Sequence, residues 1–217
     1  MTGATSSSDQ RRGFGWRLIQ VFGANKTSWV GFVLLLAICI MALAAPWIAG
    51  FDPLEQDIIG KMAEPSDAHW FGTDEFGRDV FARLVWGARI SLLVSISAIS
   101  IALTVGGTIG LVSGYIGGRF DMLMMQAMDV LLSFPALILG LIIVALLGPS
   151  LPNLIIAIAL TAIAPFARIA RAPTLTIKER QFVEAGRALG FSHARIVFVH
   201  ILPNVLPEIF VMASLWM

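Results

Sequence analysis

The most unusually placed ionisable residue in this sequence is Asp129, which begins a stretch of 38 uncharged residues ending at Arg168. An acid inside an apolar segment is energetically costly and often functional, so one interpretation is a proton or substrate site. We favour a structural role, with a nearby cation such as Arg119 as partner, because Asp129 lies close to one end of the apolar run.

The other reactive side chains predict no catalytic or metal site. His69, His193 and His200 are too dispersed along the chain to indicate a metal cage. The single cysteine, Cys39, lies inside an apolar run, where packing is its expected role. The segment GTDEFGRD at 72–79 lacks the GxxxxGKS/T pattern of a nucleotide-binding loop. We therefore expect no catalytic residue, no bound metal and no cofactor in this chain.

Composition indicates that water is not the main solvent around this chain. Hydrophobic residues make up 57% of its 217 residues and charged residues 13%, whereas roughly a quarter of the residues in a soluble domain are charged. Long uncharged runs predict helices that span a bilayer. The formal net charge of +1 gives no reason to expect a nucleic acid partner. The predicted fold class is all-α, a polytopic bundle of transmembrane helices in contact with membrane lipid.

Apolar runs predict four complete spans and the beginning of a fifth. Pro135 is expected to kink the third span, and Gly106 and Gly110 in the second suit packing within the chain better than dimerisation. The last run stops after about a dozen residues, short of the roughly 20 needed to cross a bilayer. The sequence is therefore expected to be truncated in its fifth span. The predicted transmembrane helices are 29–51, 90–112, 122–147, 154–167 and an incomplete helix from 205.

Charge between the spans predicts orientation. The N-terminal segment 1–28 is basic, and the loop 168–203 carries six Lys and Arg against two Glu, so the positive-inside rule places both in the cytoplasm. The connection 52–89 carries eight acidic residues against four basic ones, which suits the extracytoplasmic side. A cleaved signal ending near Ala42-Leu43-Ala44 is the alternative, but its apolar region is long and begins late.

Residues 184–204, EAGRALGFSHARIVFVHILPN, form the most informative segment and lie at the end of the basic loop. Their pattern predicts two short helices joined at a glycine. Before the joint, Phe182, Gly186 and Leu189 recur at helical spacing, and Glu184 is placed to pair with a neighbouring arginine. The predicted structure is a compact protruding elbow, and residues 184–204 are called the elbow below.

Three residues predict the geometry of the elbow. Gly190 suits the position just after a helix, where a positive φ is required. Ser192 can cap the helix that follows, and Pro203 is expected to end that helix because proline disfavours helical geometry in the residue before it.

The elbow resembles the EAA loop in the membrane subunits of ATP-binding-cassette importers. The pattern of that loop is Glu-Ala-Ala, three residues, Gly, nine residues, then Ile-x-Leu-Pro. Gly186 stands where the pattern has its second alanine, and His200 stands where it has isoleucine. The resemblance implies coupling to an ATPase subunit through the elbow. The positions that carry this role are Glu184, Ala185, Gly186, Gly190, Leu202 and Pro203.

A second segment, HWFGTDEFGRDVFARLVWGARISL at 69–92, resembles the region before the second span in the dipeptide/oligopeptide/nickel permease family. Together the two resemblances cover nearly all of residues 29–210. They imply a helix bundle of the MetI-like permease type, with residues 90–217 as the permease core. Such subunits usually carry six spans.

The resemblance also implies a function: a pore-forming subunit of a binding-protein-dependent importer in a bacterial-type plasma (inner) membrane. Its implied partners are a homologous second permease subunit, two ATP-binding subunits that hold ATP and Mg, and an extracytoplasmic substrate-binding protein. This chain would not be an enzyme. The implied cargo is peptides or peptide-like molecules, with nickel chelates as the alternative. An ion-coupled secondary transporter using Asp129 and a non-transporting membrane scaffold are the rival functions.

Overall fold

The computed structural model describes residues 26–216, so most of the predicted N-terminal segment 1–28 lies outside the described residues. The chain divides into two compact units, residues up to Leu92 and residues from Leu93 onward. Helices are the regular secondary structure of the described residues, and several are long and apolar enough to cross a membrane. The predicted all-α membrane fold is confirmed.

The first unit begins with α1, Lys26–Ile48, a helix of 23 residues that corresponds to the span predicted at 29–51. From Trp29 to Ile48 its side chains are apolar all round and mostly exposed. A helix of this type is suited to lipid or to another helix rather than to water.

The connection that follows α1 is organised around the carboxylate of Asp74. That carboxylate accepts hydrogen bonds from the backbone N–H groups of Phe76, at 2.8 Å, and Arg78, at 3.0 Å. The guanidinium group of Arg78 donates another at 2.8 Å, and Arg83 also pairs with it. Burial raises the pKa of Asp74, but the hydrogen bonds and the positive charge of Arg78 outweigh that effect and lower the pKa to about 2. Asp74 is therefore a charged anchor for this connection at physiological pH.

The second helix, α2, covers Val80–Ile116 and begins ten residues before the predicted span 90–112. Asp79 starts it by accepting a hydrogen bond from the N–H of Ala82 at 2.6 Å, as an N-cap side chain does. The other oxygen of Asp79 pairs with Nδ1 of His69 at 2.8 Å. Charged residues such as Arg83 limit where a bilayer can lie but do not prevent a helix. At about 1.5 Å per residue, the 37 residues of α2 are longer than a membrane core is thick.

In the second unit, the predicted single span 122–147 consists of two helices, α3 at Gly118–Ser133 and α4 at Ala136–Leu147, bent by 87°. The bend lies at Pro135, where a kink was predicted, but it is sharper than a kink. Phe134 is extended, with φ −90° and ψ 132°, because a residue before proline avoids the helical region.

The helix predicted at 154–167 is longer in the structure: α5 covers Leu151–Ile177. The side chain of Ser150 caps its start by accepting a hydrogen bond from Asn153 N–H at 3.3 Å. The helix continues past Arg168 and Arg171, whose charges had suggested a loop, because both side chains pair with carboxylates on α3.

After the short helix α6, Gln181–Ala188, the chain forms one continuous helix, α7, His193–Trp216. The expected end at Pro203 is therefore corrected, and the helix predicted from 205 begins at His193 instead. A π-helical turn at Ile196–Ile201 precedes the proline. Pro203 is the second residue of the α-helical part Leu202–Trp216, directly after the π-helical turn.

The second unit is held together by close packing of α2 against α5. A Cβ on Gly106 would lie 2.4 Å from the carbonyl oxygen of Ile163, and one on Gly110 would lie 2.0 Å from that of Ala167. The two glycines therefore allow the backbones to touch, as the small-residue spacing predicted. The buried residues around this contact are mainly alanine, with Phe166 as the largest fully buried side chain.

We expect Gly110→Ala to destabilise the protein by roughly 1 to 3 kcal/mol, because the added methyl group would push α2 and α5 apart. Thermal unfolding in detergent measures the effect. Gly107→Ala is the matched control, since a Cβ there meets Ile209 at 4.0 Å, an ordinary contact distance. Equal melting temperatures for the two variants would contradict the assigned role of Gly110.

Candidate functional site

The elbow turns at Gly190, whose φ of +75° lies in the left-handed region, as predicted. The N–H of Phe191 donates to the carbonyl of Gly186 at 3.0 Å, and the N–H of Gly190 donates to that of Arg187 at 3.0 Å. These two hydrogen bonds make a Schellman motif, which ends α6 and reverses the chain. The predicted cap is also present: Ser192 Oγ accepts a hydrogen bond from Arg195 N–H at 3.3 Å.

The first helix of the predicted elbow is present as α6, and two of its residues face the core of the second unit. Val183 and Gly186 are buried, whereas Phe182 is 40% exposed and Leu189 is 73% exposed. Helical spacing indicates a helix here but does not identify which of its residues meet the core. Glu184 is exposed and has no ion pair among residues 26–216. The exposed side of α6 and the turn after it thus carry two large apolar side chains, Phe182 and Leu189, beside charged ones.

Phe191 packs inside the angle between α6 and α7. Its ring stacks on that of His200, with centroids 5.7 Å apart and planes inclined by 6°. The guanidinium carbon of Arg195 lies 4.2 Å from the centre of the same ring. A Cβ on Gly186 would lie 3.3 Å from the ring edge, so glycine at this position gives Phe191 room.

Two hydrogen bonds and one contact between a cation and a ring attach the elbow region to the end of α2. The hydroxyl of Tyr115 and Nδ1 of His193 form a hydrogen bond of 2.7 Å, and the guanidinium of Arg187 lies 5.7 Å from the centre of the Tyr115 ring. Lys178, between α5 and α6, donates from Nζ to the carbonyl oxygen of Gly114 at 2.8 Å. Both ends of the segment that carries α6 are therefore tied to one helix.

Ion pairs join α3 to α5. Asp121 is buried and receives two hydrogen bonds from Arg171, 2.6 Å from Nε and 2.5 Å from Nη2. Asp129 pairs with Arg168 and not with Arg119, the partner expected from the sequence. Asp129 is thus paired with a cation on α5, 39 residues away along the chain.

The predicted coupling residues do not share one surface. Glu184 and Ala185 are exposed on α6, whereas Leu202 packs against the core of the second unit. Pro203 belongs to α7. Sequence reasoning also missed several residues that shape the site, because their partners are distant along the chain and no local spacing marks them. These residues are Tyr115, Asp121 and Arg171.

No group of three or more His, Cys, Asp or Glu within residues 26–216 is arranged to hold a metal ion. The arrangement combines long apolar helices, ion pairs between α3 and α5, and a short, largely exposed helix, α6, that ends at a defined turn.

Two family patterns match this sequence. The pattern described as the inner membrane component of binding-protein-dependent transport systems matches residues 106–215. The pattern described as the N-terminal transmembrane domain of oligopeptide transport permease C matches residues 14–65. The first match includes the elbow and the helices to which it is attached.

Characterised relatives agree with these matches. The chain is 42% identical over 191 residues to the dipeptide transport system permease protein DppC of Alkalihalophilus pseudofirmus, covering 88% of this chain and 63% of that protein. It is 40% identical over 202 residues to the di/tripeptide permease DppC of Pseudomonas aeruginosa, covering 90% and 67%. It is 36% identical over 194 residues to the oligopeptide permease OppC of Bacillus subtilis, covering 89% and 64%.

The fold and the matched patterns define a multi-pass membrane permease. More particularly, the chain belongs to the family of inner membrane components of binding-protein-dependent transport systems. It spans a little under two thirds of the length of the A. pseudofirmus relative.

We expect Arg171→Gln to lower the free energy of unfolding by roughly 1.5 to 3 kcal/mol, because it removes charge-assisted hydrogen bonds to a buried carboxylate. Arg168→Gln is the matched control on the same helix and should cost less, since Arg168 and Asp129 are both more than half exposed. Thermal unfolding of the two variants in the same detergent makes the comparison. A larger loss for Arg168→Gln would reverse the assigned importance of the two pairs.

Proposed function

We propose that this chain is a pore-forming subunit of an ATP-driven peptide importer, and that the elbow couples an ATPase subunit to the membrane helices. The observation that carries the proposal is the exposure of Phe182 and Leu189 beside a turn fixed at Gly190. An exposed apolar surface on a short rigid helix suits a groove on a protein partner.

In this proposal the chemistry belongs to the partner subunits, which bind ATP and Mg, while this chain contributes no hydrolytic residue. Closure of two ATPase subunits would displace the docked α6. Since α7 starts three residues after Gly190, that displacement would reach a membrane helix directly. ATP binding would thus favour one of two access states, because a ligand shifts an equilibrium toward the state that it binds more tightly.

The proposed assembly contains four further polypeptides besides this subunit. A homologous second permease subunit would complete the pore, two ATP-binding subunits would lie on the cytoplasmic side, and an extracytoplasmic binding protein would deliver cargo. Peptides are the proposed cargo, because the relatives described above are named for dipeptides, di/tripeptides and oligopeptides. These names do not favour the nickel-chelate alternative.

The proposed orientation predicts the accessibility of two exposed serines, Ser66 and Ser192. In a Cys39→Ser background, a cysteine at Ser66 should react with an impermeant maleimide added outside spheroplasts. A cysteine at Ser192 should react only after permeabilisation and should cross-link to an ATPase subunit. Labelling of both from the same side would overturn the orientation.

The function itself is tested at Gly190. We expect Gly190→Val to abolish ATP-driven peptide uptake in the full-length, reconstituted complex, because a branched residue at positive φ costs roughly 1 to 3 kcal/mol and the elbow would misdock. Insertion and subunit assembly should remain normal, since Gly190 and α6 lie outside the helices that are long and apolar enough to span a membrane. Uptake and substrate-stimulated ATP hydrolysis are measured together.

Gly190→Asn is the matched control, because asparagine adopts positive φ more readily than other residues with a side chain. It should retain much more uptake than Gly190→Val. Wild-type uptake from a properly assembled Gly190→Val complex would remove the elbow from the proposed mechanism.

The pairing of Asp129 with Arg168 supports a structural role for this acid. We therefore expect Asp129→Asn to retain uptake that depends on ATP and is insensitive to a protonophore. The measurement is peptide uptake into proteoliposomes, with ATP and the proton gradient varied independently. Uptake that follows the gradient and ignores ATP would instead establish an ion-coupled secondary transporter.

A further inference from the structure

The ring pair formed by Phe191 and His200 closes the angle of the elbow. Phe191 belongs to the two-residue connection after Gly190, and His200 belongs to the π-helical turn of α7. Their rings are nearly parallel, at 6°, and the edge of Phe191 lies against Gly186 on α6. A continuous line of contact therefore runs from α6 through Phe191 to α7.

This contact compensates for a weakness in the turn. A glycine with positive φ can form the turn but does little to hold its angle, because glycine has the widest choice of backbone conformations. Without a brace, a displacement of α6 could be absorbed by rotation at Gly190. The stacked rings span the inside of the angle and oppose that rotation.

The surroundings of His200 indicate that its ring acts by stacking. Nε2 is buried and has no hydrogen-bond partner among residues 26–216, an arrangement that is unfavourable for a polar atom. The backbone carbonyl of His200 accepts a hydrogen bond from the side chain of Asn204 at 2.7 Å, which anchors the π-helical turn that carries the ring. Arg195 also lies against the ring of Phe191, so the ring is held from α7 at two positions.

We propose that Phe191 and His200 are positioning residues that fix the angle between α6 and α7, so that movement of a docked α6 is transmitted to α7. The inference rests on the proposed function and adds to it the part of the chain that makes the elbow rigid. A flat ring at position 200 is required, whereas the imidazole nitrogens are not. Phenylalanine should therefore replace His200, and an aliphatic residue should not.

The test uses the complete reconstituted complex with its ATPase subunits and binding protein. We expect His200→Ala to lower peptide uptake by about fivefold or more, in line with the loss of one stacked ring pair, while basal ATP hydrolysis changes less than about twofold. His200→Leu, which keeps more of the volume, should show the same loss, and His200→Phe should restore uptake. Val199→Ala, at a neighbouring position that is 57% exposed, is the control and should transport normally.

A cross-link from a cysteine at Ala188 to the ATPase subunit separates docking from transmission. The inference expects this cross-link to persist in His200→Leu while uptake falls. Loss of the cross-link together with uptake would show that His200 acts on docking and would overturn the inference, as would normal uptake by His200→Leu or failure of His200→Phe to rescue. If the wild-type complex itself shows no ATP-driven uptake, the proposed function fails instead.

Discussion

The direct approach of two backbones, α2 and α5, is the constraint on which the second unit depends. At Gly110 even a methyl group would overlap the carbonyl of Ala167. This proximity brings the end of α2 within reach of the residues that follow α5, so that Lys178 can bond to Gly114 and Tyr115 to His193. Wider separation of the helices would lengthen these short polar contacts and release the elbow from its support.

The positive charges of α5 are paired with acidic side chains of α3. Arg168 and Arg171 lie on a helix long and apolar enough to span a bilayer, where an unpaired charge would be costly. Each is matched by an aspartate on α3, so the bent pair α3 and α4 supplies counter-charges as well as apolar surface. The sharp bend at Pro135 leaves the charged helix α3 distinct from the uncharged helix α4.

Local features of this structure could be predicted from sequence, because their causes are local. The positive φ of Gly190, the cap at Ser192 and the bend at Pro135 each follow from the conformational preferences of one or two residues. Helix ends that depend on distant or compensating contacts were misjudged. A π-helical turn carried α7 through Pro203, and an acid on α3 allowed α5 to continue past Arg171.

The candidate site also combines features that local sequence predicts with features that depend on distant contacts. The motif spacing located the turn, but which residues of α6 are buried, here Val183 and Gly186, depends on what packs against the helix. Local sequence could not predict two further contacts, the stacking of Phe191 on His200 and the pairing of Asp129 with Arg168. Both depend on how separate elements are placed relative to each other.

The π-helical turn at Ile196–Ile201 also sets the rotational register of everything that follows it. A π turn takes up about one residue more than an α turn, and one residue corresponds to about 100° of rotation around a helix. Deletion of a single residue here would therefore swing Val205 and Ile209, both buried, away from the core of the second unit. Chain length within this turn is thus as constrained as residue type, and insertions or deletions at this point would alter which face of α7 meets its neighbours.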